Sequence, residues 1–277
     1  MKIWAQLLLF LSWATVGHAA EHVVGTFKEV DAAEKTATFA PEDGEPVDVR
    51  LSEGDATVYE AGDRVEAELA HIASLTKLQH IMPADRAAQG RIELMADQLQ
   101  RDTLQRGRKA FRNTGERLPR FALWDQNGDL FLSENLKGHY AVINFIFSRC
   151  PDPNMCPAST ERMIALDRKL DEAGLDDVKL VSITLDPDYD TPGIWTAYAQ
   201  NKGIDTSRHS LLSGPSEVTR NLTKQLGVLA EADEQNIIKH TMVTTLVNPE
   251  GTIIYRLPGS MWSPDIFLRK IEQDQKD

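Results

Sequence analysis

The fold of this chain is decided by residues 141–157, which read AVINFIFSRCPDPNMCP. The first seven residues form an apolar run that only Asn144 interrupts, which is typical of a strand buried on both faces of a sheet. Pro157 is a favoured first residue of a helix, so we predict that a helix follows at once. A buried strand that leads through a short loop into a helix is a unit of layered α/β folds.

Strands and helices alternate on both sides of this segment. The pattern of apolar residues predicts helices at 157–173, 192–202 and 263–275 and strands at 178–185, 243–247 and 252–255. Asn248-Pro249-Glu250-Gly251 separates the last two strands and has the composition of a hairpin turn. We therefore predict a three-layer α/β domain over residues 118–277.

The two cysteines of the chain, Cys150 and Cys156, lie where this strand meets its helix. In open α/β sheets, sites form at this end of the strands. The free N–H groups and the dipole of the helix are expected to lower the pKa of the Cys156 thiol, and Arg149 adds positive charge beside Cys150. Thiolates attack disulfides and bind soft metals, so the pair indicates redox or metal chemistry. A single structural disulfide is the alternative.

The N-terminal half has a different pattern. Short segments of alternating apolar and polar residues, joined by turn residues, predict a small β-rich domain, a barrel or a sandwich, over residues 20–75. Residues 76–117 are predicted to be a helical connector, with one helix over 84–112. Its incomplete apolar stripe consists of Ile92, Met95, Leu99 and Leu104. His71, His80 and Met82 are interpreted as loop residues.

The first 19 residues have the composition of a signal peptide. Lys2 is the only charged residue before Glu21, residues 3–16 are mostly apolar, and small residues follow at 17–19. The apolar stretch is shorter than the roughly 20 residues of a membrane span. We therefore predict export with cleavage of residues 1–19, and an uncleaved membrane anchor as the alternative.

The overall charge argues against one class of partner. The formal net charge is −12, and no Lys/Arg cluster is interleaved with aromatic residues. Such a surface repels phosphates, so nucleic acid is not an expected partner.

Several motifs in the C-terminal half resemble one family. Besides the cysteine segment, the resemblance rests on Trp124–Gly128, Leu136–Tyr140, Leu185–Pro192 and the segment Lys239-His240-Thr241 with the turn that follows it. Together they resemble the Sco (SenC) family, copper-binding thioredoxin-like proteins of cytochrome c oxidase assembly, over about residues 118–275. One departure is the spacing of the cysteines, which have five residues between them where the family usually has three.

The resemblance implies a thioredoxin-like fold and a copper site formed by Cys150, Cys156 and His240. Soft thiolates select Cu(I), and imidazole accepts both Cu(I) and Cu(II), so this donor set suits copper through a redox change. Met155, within the longer loop, is expected to pack only. Asp186 and Asp190 are expected to orient His240, and the alternative is that Asp186-Pro187 and Thr191-Pro192 only cap and start a helix.

The implied function is that of a periplasmic copper chaperone that works close to the membrane. Its partners would be the copper-bearing subunit of cytochrome c oxidase and other periplasmic copper chaperones. It would deliver copper to the dinuclear site of the oxidase or reduce the cysteines there. The alternative is a thiol-disulfide oxidoreductase that uses Cys150 and Cys156 without physiological copper. A peroxidase is disfavoured because residues 143–149 lack the Pro-x-x-x-Thr pattern expected before its cysteine.

Overall fold

A computed structural model describes residues 20–107, 110–232 and 238–276 of the chain. The predicted signal peptide, residues 1–19, lies outside the described residues. Among the helices that are described, none combines the length and the apolar character needed to cross a membrane.

The N-terminal barrel, Glu21–Pro83, is a closed sheet of five strands in the order β1-β2-β3-β5-β4. Apolar residues alternate along its strands and meet inside, where Phe27 and Phe39 pack edge to face with ring centroids 5.7 Å apart. The elements are β1 (Glu21–Asp31), β2 (Thr36–Pro41), β3 (Val47–Arg50), α1 (Glu53–Val58), β4 (Arg64–Ile72) and β5 (Leu75–Pro83).

The barrel extends past residue 75, where the sequence analysis ended it. Strand β5 continues to Pro83, so His80 and Met82, like His71 in β4, are strand residues, and their interpretation as loop residues is wrong. The long pairing of β4 with β5 through a turn at 73–74 completes the barrel. Closure pairs the strand edges that a shorter sheet would leave open.

The connector helix α2 (Arg86–Arg106) starts after Asp85, whose side chain accepts the backbone N–H of Ala88. Its buried residues include Ile92, Met95 and Leu99, as the apolar stripe predicted. Leu104 does not belong to that buried face, because its side chain is 72% exposed. The helix ends at Arg106, six residues before its predicted end at residue 112. It stops there because Gly107 adopts a positive φ of 56°, which glycine tolerates.

The C-terminal half is built around a five-stranded sheet in the order β10-β9-β8-β13-β14. Strands β8, β9 and β10 are parallel, and β13 is antiparallel to β8 and to β14. All seven residues of β8 are buried, as its apolar run predicted. The elements are β6 (Ala122–Trp124), β7 (Leu130–Leu132), β8 (Tyr140–Ile146), α3 (Cys156–Glu172), β9 (Val178–Thr184), α4 (Pro192–Lys202), β10 (His209–Leu212), α5 (Ser216–Leu226), β11 (Ala230–Ala232), β12 (Ile238–His240), β13 (Val243–Val247), β14 (Ile253–Pro258) and α6 (Pro264–Asp274).

Helices cover both faces of this sheet. On one face Val142 packs with Leu166 of α3 and Phe267 of α6, and on the other Ile143 belongs to a cluster with Trp195 of α4 and Leu222 of α5. The predicted α/β three-layer arrangement is thus confirmed.

One set of polar side chains lies within these layers and is called here the buried polar cluster: Asn144, Ser159, Ser182 and His209. The Ser182 hydroxyl donates to Asn144 Oδ1 at 2.6 Å, and Asn144 Nδ2 donates to Ser159 Oγ at 2.9 Å. Because the Ser182 proton is used, His209 Nε2–H is the donor in its 2.8 Å contact with Ser182 Oγ. The cluster therefore ties β8, β9, β10 and α3 together through matched hydrogen bonds.

Candidate metal centre

The two cysteines are placed by the end of a central strand and the start of a helix. The Cys loop, residues 147–155, leaves β8 after Ile146 and reaches α3 at Cys156. The backbone N–H of Cys150 turns back onto the Phe147 carbonyl at 3.3 Å. Cys150 is partly exposed, whereas Cys156 is fully buried, and both are free thiols. Met155 packs against the core around them, as expected.

The third residue comes from a distant part of the chain. His240 ends β12, which pairs with β11 so that Ala230 lies opposite it. Its ring stands edge to face against Phe147, the first residue of the Cys loop, with centroids 5.5 Å apart. The structure therefore brings His240 to the two cysteines across more than eighty residues of sequence.

The three side chains converge on one point. The sulfur atoms of Cys150 and Cys156 and a ring nitrogen of His240 all lie within 4.8 Å of one another. Cys156 Sγ is 3.3 Å from His240 Nε2. Within residues 20–107, 110–232 and 238–276, this is the one group of three or more His, Cys, Asp or Glu side chains whose spacing could hold a metal ion.

The histidine is oriented with a free lone pair toward the thiols. His240 Nδ1 is 3.2 Å from the carbonyl oxygen of Thr241, which can only accept, so Nδ1 carries the proton. Nε2 then faces Cys156 as an acceptor. Burial lowers the pKa of His240, which favours the neutral ring that metals require.

The expectation of a lowered pKa for Cys156 is wrong. Burial raises the pKa of this thiol well above its ordinary value, although a hydrogen bond from the Phe147 backbone acts in the opposite direction, and the neighbouring Cys150 raises it further. Loss of hydration penalises a thiolate in an apolar pocket more than the start of a helix stabilises it. A bound cation would supply the positive charge that this site lacks.

The loop after β9 holds the Cys loop in place. This support loop, residues 185–191, presents the buried Asp190, whose carboxylate accepts the backbone N–H and the hydroxyl of Ser148 and, at 2.6 Å, the hydroxyl of Thr184. Burial raises the pKa of Asp190 to about 6. Asp186 pairs with Arg149, Nε to Oδ2 at 2.6 Å.

The contacts of both aspartates contradict the expected orienting role at His240, whereas the alternative of a helix cap and start at Thr191-Pro192 is confirmed. Asp186 and Asp190 fasten the Cys loop rather than the ring of His240, and Thr191 caps α4 by accepting the backbone N–H of Ile194. Two further residues of the site, Ser148 and Tyr189, were not predicted from the sequence. The Arg149 guanidinium stacks on the Tyr189 ring, 4.4 Å from its centroid. A signal was present in the sequence, since polar residues follow both β8 and β9 at the same edge of the sheet.

The donor atoms fit a small soft cation. Sulfur and nitrogen ligands lie about 2.0–2.3 Å from a d¹⁰ ion, so two of them are at most about 4.6 Å apart. The donor atoms lie within 4.8 Å of one another, so small side-chain movements bring them into this range. Two thiols and one imidazole form a set that suits soft metals such as Cu(I) and Zn²⁺, with carboxylates kept to the surrounding loops.

Known proteins match this half of the chain. The SCO1/SenC family model matches residues 110–274. An SCO2-like protein of Rickettsia prowazekii is 32% identical over 137 residues, which are 47% of this chain and 64% of that protein. The chain therefore spans less than two thirds of that relative's length.

Solved structures of Sco proteins are also similar to this half of the chain. The crystal structure of a SCO1/SenC family lipoprotein from Bacillus anthracis is 28% identical, with a TM-score of 0.54 over 59% of this chain and 98% of that one. BsSco, described as a member of the Sco family of cytochrome c oxidase assembly proteins with a disulfide switch, is 26% identical, with a TM-score of 0.50 over 58% and 95%. The chain belongs to the SCO1/SenC family.

Proposed function

We propose that this chain binds copper, as cargo, through Cys150, Cys156 and His240. The observation that carries the proposal is the convergence of the three donor atoms within 4.8 Å. Thiolates favour Cu(I) over harder cations, and the imidazole extends the site to Cu(II). Membership of the SCO1/SenC family supports copper over zinc as the metal.

The role that follows is delivery. We propose that the chain is exported to the periplasm, free or membrane-anchored, where it receives copper from other chaperones. It passes the metal to the dinuclear copper site of the copper-bearing cytochrome c oxidase subunit. The partly exposed Cys150 lies on the accessible side of the site, so an incoming thiol can replace it first. We further propose that residues 1–19 are a signal peptide, followed by the barrel, the connector and the copper-binding domain from residue 118.

An anaerobic copper titration tests this proposal. The reduced protein is titrated with Cu(I) against a competing chelator, and X-ray absorption measures the ligands of the bound metal. We expect one copper per chain with two sulfur neighbours and one nitrogen neighbour. The matched control is His139→Ala, which removes a surface histidine paired with Asp177 and should bind as tightly as the wild type. Binding no tighter than that of protein with both thiols alkylated would contradict the proposal.

Transfer is tested by mixing the copper-loaded protein with the apo copper-bearing domain of the oxidase subunit. We expect the metal to move to that domain at a rate faster than release to buffer. Equal rates would argue against a delivery role.

The second candidate is a thiol-disulfide oxidoreductase. It is favoured by the two free cysteines, whose sulfur atoms lie within 4.8 Å of each other. His240→Ala separates the two functions, because copper binding needs the imidazole and thiol exchange does not. Loss of thiol exchange without loss of copper affinity in this variant would contradict both assignments of His240.

A further inference from the structure

The barrel touches the support loop of the metal centre. His80 of β5 packs edge to face on Tyr189, with ring centroids 6.4 Å apart. The ring of Tyr189 also contacts the guanidinium of Arg149, the residue before Cys150. A continuous stack therefore runs from the barrel through the support loop to the Cys loop.

Both ends of this stack are held. His80 Nδ1 is 3.1 Å from Glu68 Oε2 of the neighbouring strand β4. Arg149 is held by Asp186, whose side chain is 9% exposed. His80 also has a positive φ of 51°, in the irregular part of the β4–β5 pairing. Left-handed backbone is uncommon outside glycine and costs free energy, so neighbouring contacts must maintain it.

A second contact fixes the barrel just beyond the support loop. Gly54 in α1 and Gly193 in the first turn of α4 approach so closely that a Cβ on Gly54 would lie 1.9 Å from the Gly193 carbonyl oxygen. A Cβ on Gly193 would lie 2.1 Å from Asp55 Oδ1. Any other residue at either position would separate the two backbones. The barrel and α4 are therefore in direct backbone contact at this point.

We infer that the barrel positions Cys150, through the stack of His80 on Tyr189 and of Tyr189 on Arg149. This inference rests on the proposed use of Cys150 and Cys156 as a functional pair. Ordering the Cys loop in advance reduces the entropy that is lost when Cys150 meets Cys156 and His240. His80 and Tyr189 are positioning residues, since they act on the sulfur only through Arg149.

The test measures the Cys150–Cys156 couple in the full-length protein without copper. In a glutathione buffer the two thiols give two protons and two electrons to glutathione disulfide, which is reduced to two glutathione thiols, and one S–S bond forms. Tyr189→Leu removes the stacking ring and is expected to lower the equilibrium constant for disulfide formation about tenfold, a shift of about 30 mV toward a more oxidising potential. Tyr189→Phe keeps the ring and should match the wild type.

The barrel side has its own matched set. His80→Ala should lower the same constant about threefold, whereas His80→Phe, which keeps an aromatic ring, should restore it. His71→Ala is the control, because His71 is a histidine of the same barrel whose contact is with Thr76. Thermal unfolding identifies any variant that is not folded, and the two residues give independent pairs if one variant fails.

The outcomes separate the positioning role from the copper function. If the potentials of Tyr189→Leu and His80→Ala equal those of Tyr189→Phe and His71→Ala, the barrel does not position Cys150, whatever the copper affinity. If the potentials shift as expected in a protein that fails to bind copper, the positioning role stands and the copper proposal falls. A His80→Phe variant as impaired as His80→Ala would also overturn the inference.

Discussion

Two histidines of the C-terminal half differ in burial and in their neighbours, because His209 is fully buried whereas His240 is partly exposed. His209 belongs to the buried polar cluster, where its Nε2–H donates to a hydroxyl. His240 lies at the end of β12, where its Nε2 faces the Cys156 thiol at 3.3 Å. Burial lowers the pKa of both rings. A lowered pKa therefore does not distinguish a structural histidine from a ligand.

The two histidines differ in whether their neighbours can release a proton and bind a metal ion. In the buried polar cluster, hydroxyl, amide and imidazole groups are hydrogen-bonded to one another, and none of the four side chains is a thiol. In the metal centre the thiols carry protons that a cation can displace, and one sulfur remains partly exposed. The first arrangement stabilises the fold, and the second one leaves room for an exchangeable partner.

The largest expected effect is on the metal centre. Cys150→Ala should weaken Cu(I) binding about a thousandfold, since a metal site gains about 3–4 kcal/mol per ligand. Its free energy of unfolding should change by no more than about 0.5 kcal/mol, because the side chain is partly exposed. Chelator competition and chemical denaturation measure the two quantities. A large loss of stability would show that Cys150 is structural, as a member of the buried polar cluster would be.

The contribution of the buried polar cluster to the free energy of unfolding should depend on pH. Burial lowers the pKa of His209 from 6.5 to about 4. Between pH 6.5 and pH 4, this histidine is therefore protonated in the unfolded chain but neutral in the folded protein. The stability from the neutral ring is therefore complete above pH 6.5 and is lost as the pH falls toward 4. A gap of roughly 2.5 pH units corresponds to about 3 kcal/mol.

Denaturant titrations of the wild type and of His209→Gln at several pH values measure this loss. The variant should lose about 3 kcal/mol less than the wild type between pH 6.5 and pH 4. A His209→Gln curve parallel to the wild type would contradict the account of this cluster.

The two histidines can also be compared directly for metal binding. His240→Ala should weaken Cu(I) binding about a hundredfold, less than the loss of a thiolate because imidazole is the harder and neutral donor. His209→Gln should leave the affinity unchanged within about twofold. Both variants are measured by the same chelator competition at pH 7. Equal affinities for the two variants would remove the distinction between the histidines.

The smallest effect on copper affinity is expected at the residue of the buried polar cluster that is nearest in sequence to the metal centre. Ser159 lies one helical turn after Cys156 and accepts from Asn144 at 2.9 Å. Ser159→Ala removes this acceptor and should cost about 1–3 kcal/mol of stability, with the lower end favoured if Asn144 finds another partner. Copper affinity should stay within about twofold. A tenfold loss of affinity would show that the buried polar cluster also positions Cys156.

Local patterns predicted much of the fold and the pair of cysteines, and the family resemblance added His240 as the third candidate ligand. The apolar run of β8 and the stripe through Ile92, Met95 and Leu99 specify their elements because periodicity and burial are properties of neighbouring residues. The end of the barrel was missed, since β5 mixes Lys77, Gln79 and His80 with its apolar residues and closes the sheet only through its pairing with β4 and β3. Leu104 was assigned to the buried stripe although no neighbouring element covers it.

The sequence by itself determined the alternation of strands and helices from β8 to α4, the final hairpin and helix, the presence of two thiols between a buried strand and a helix, and the motif that contains His240. Only the tertiary structure decided that Cys156 is buried deeply enough to raise its pKa, that Asp186 and Asp190 hold the Cys loop, and that His80 reaches Tyr189. The physical reason is distance along the chain. Hydration, charge and contact at a site depend on residues that only folding brings together.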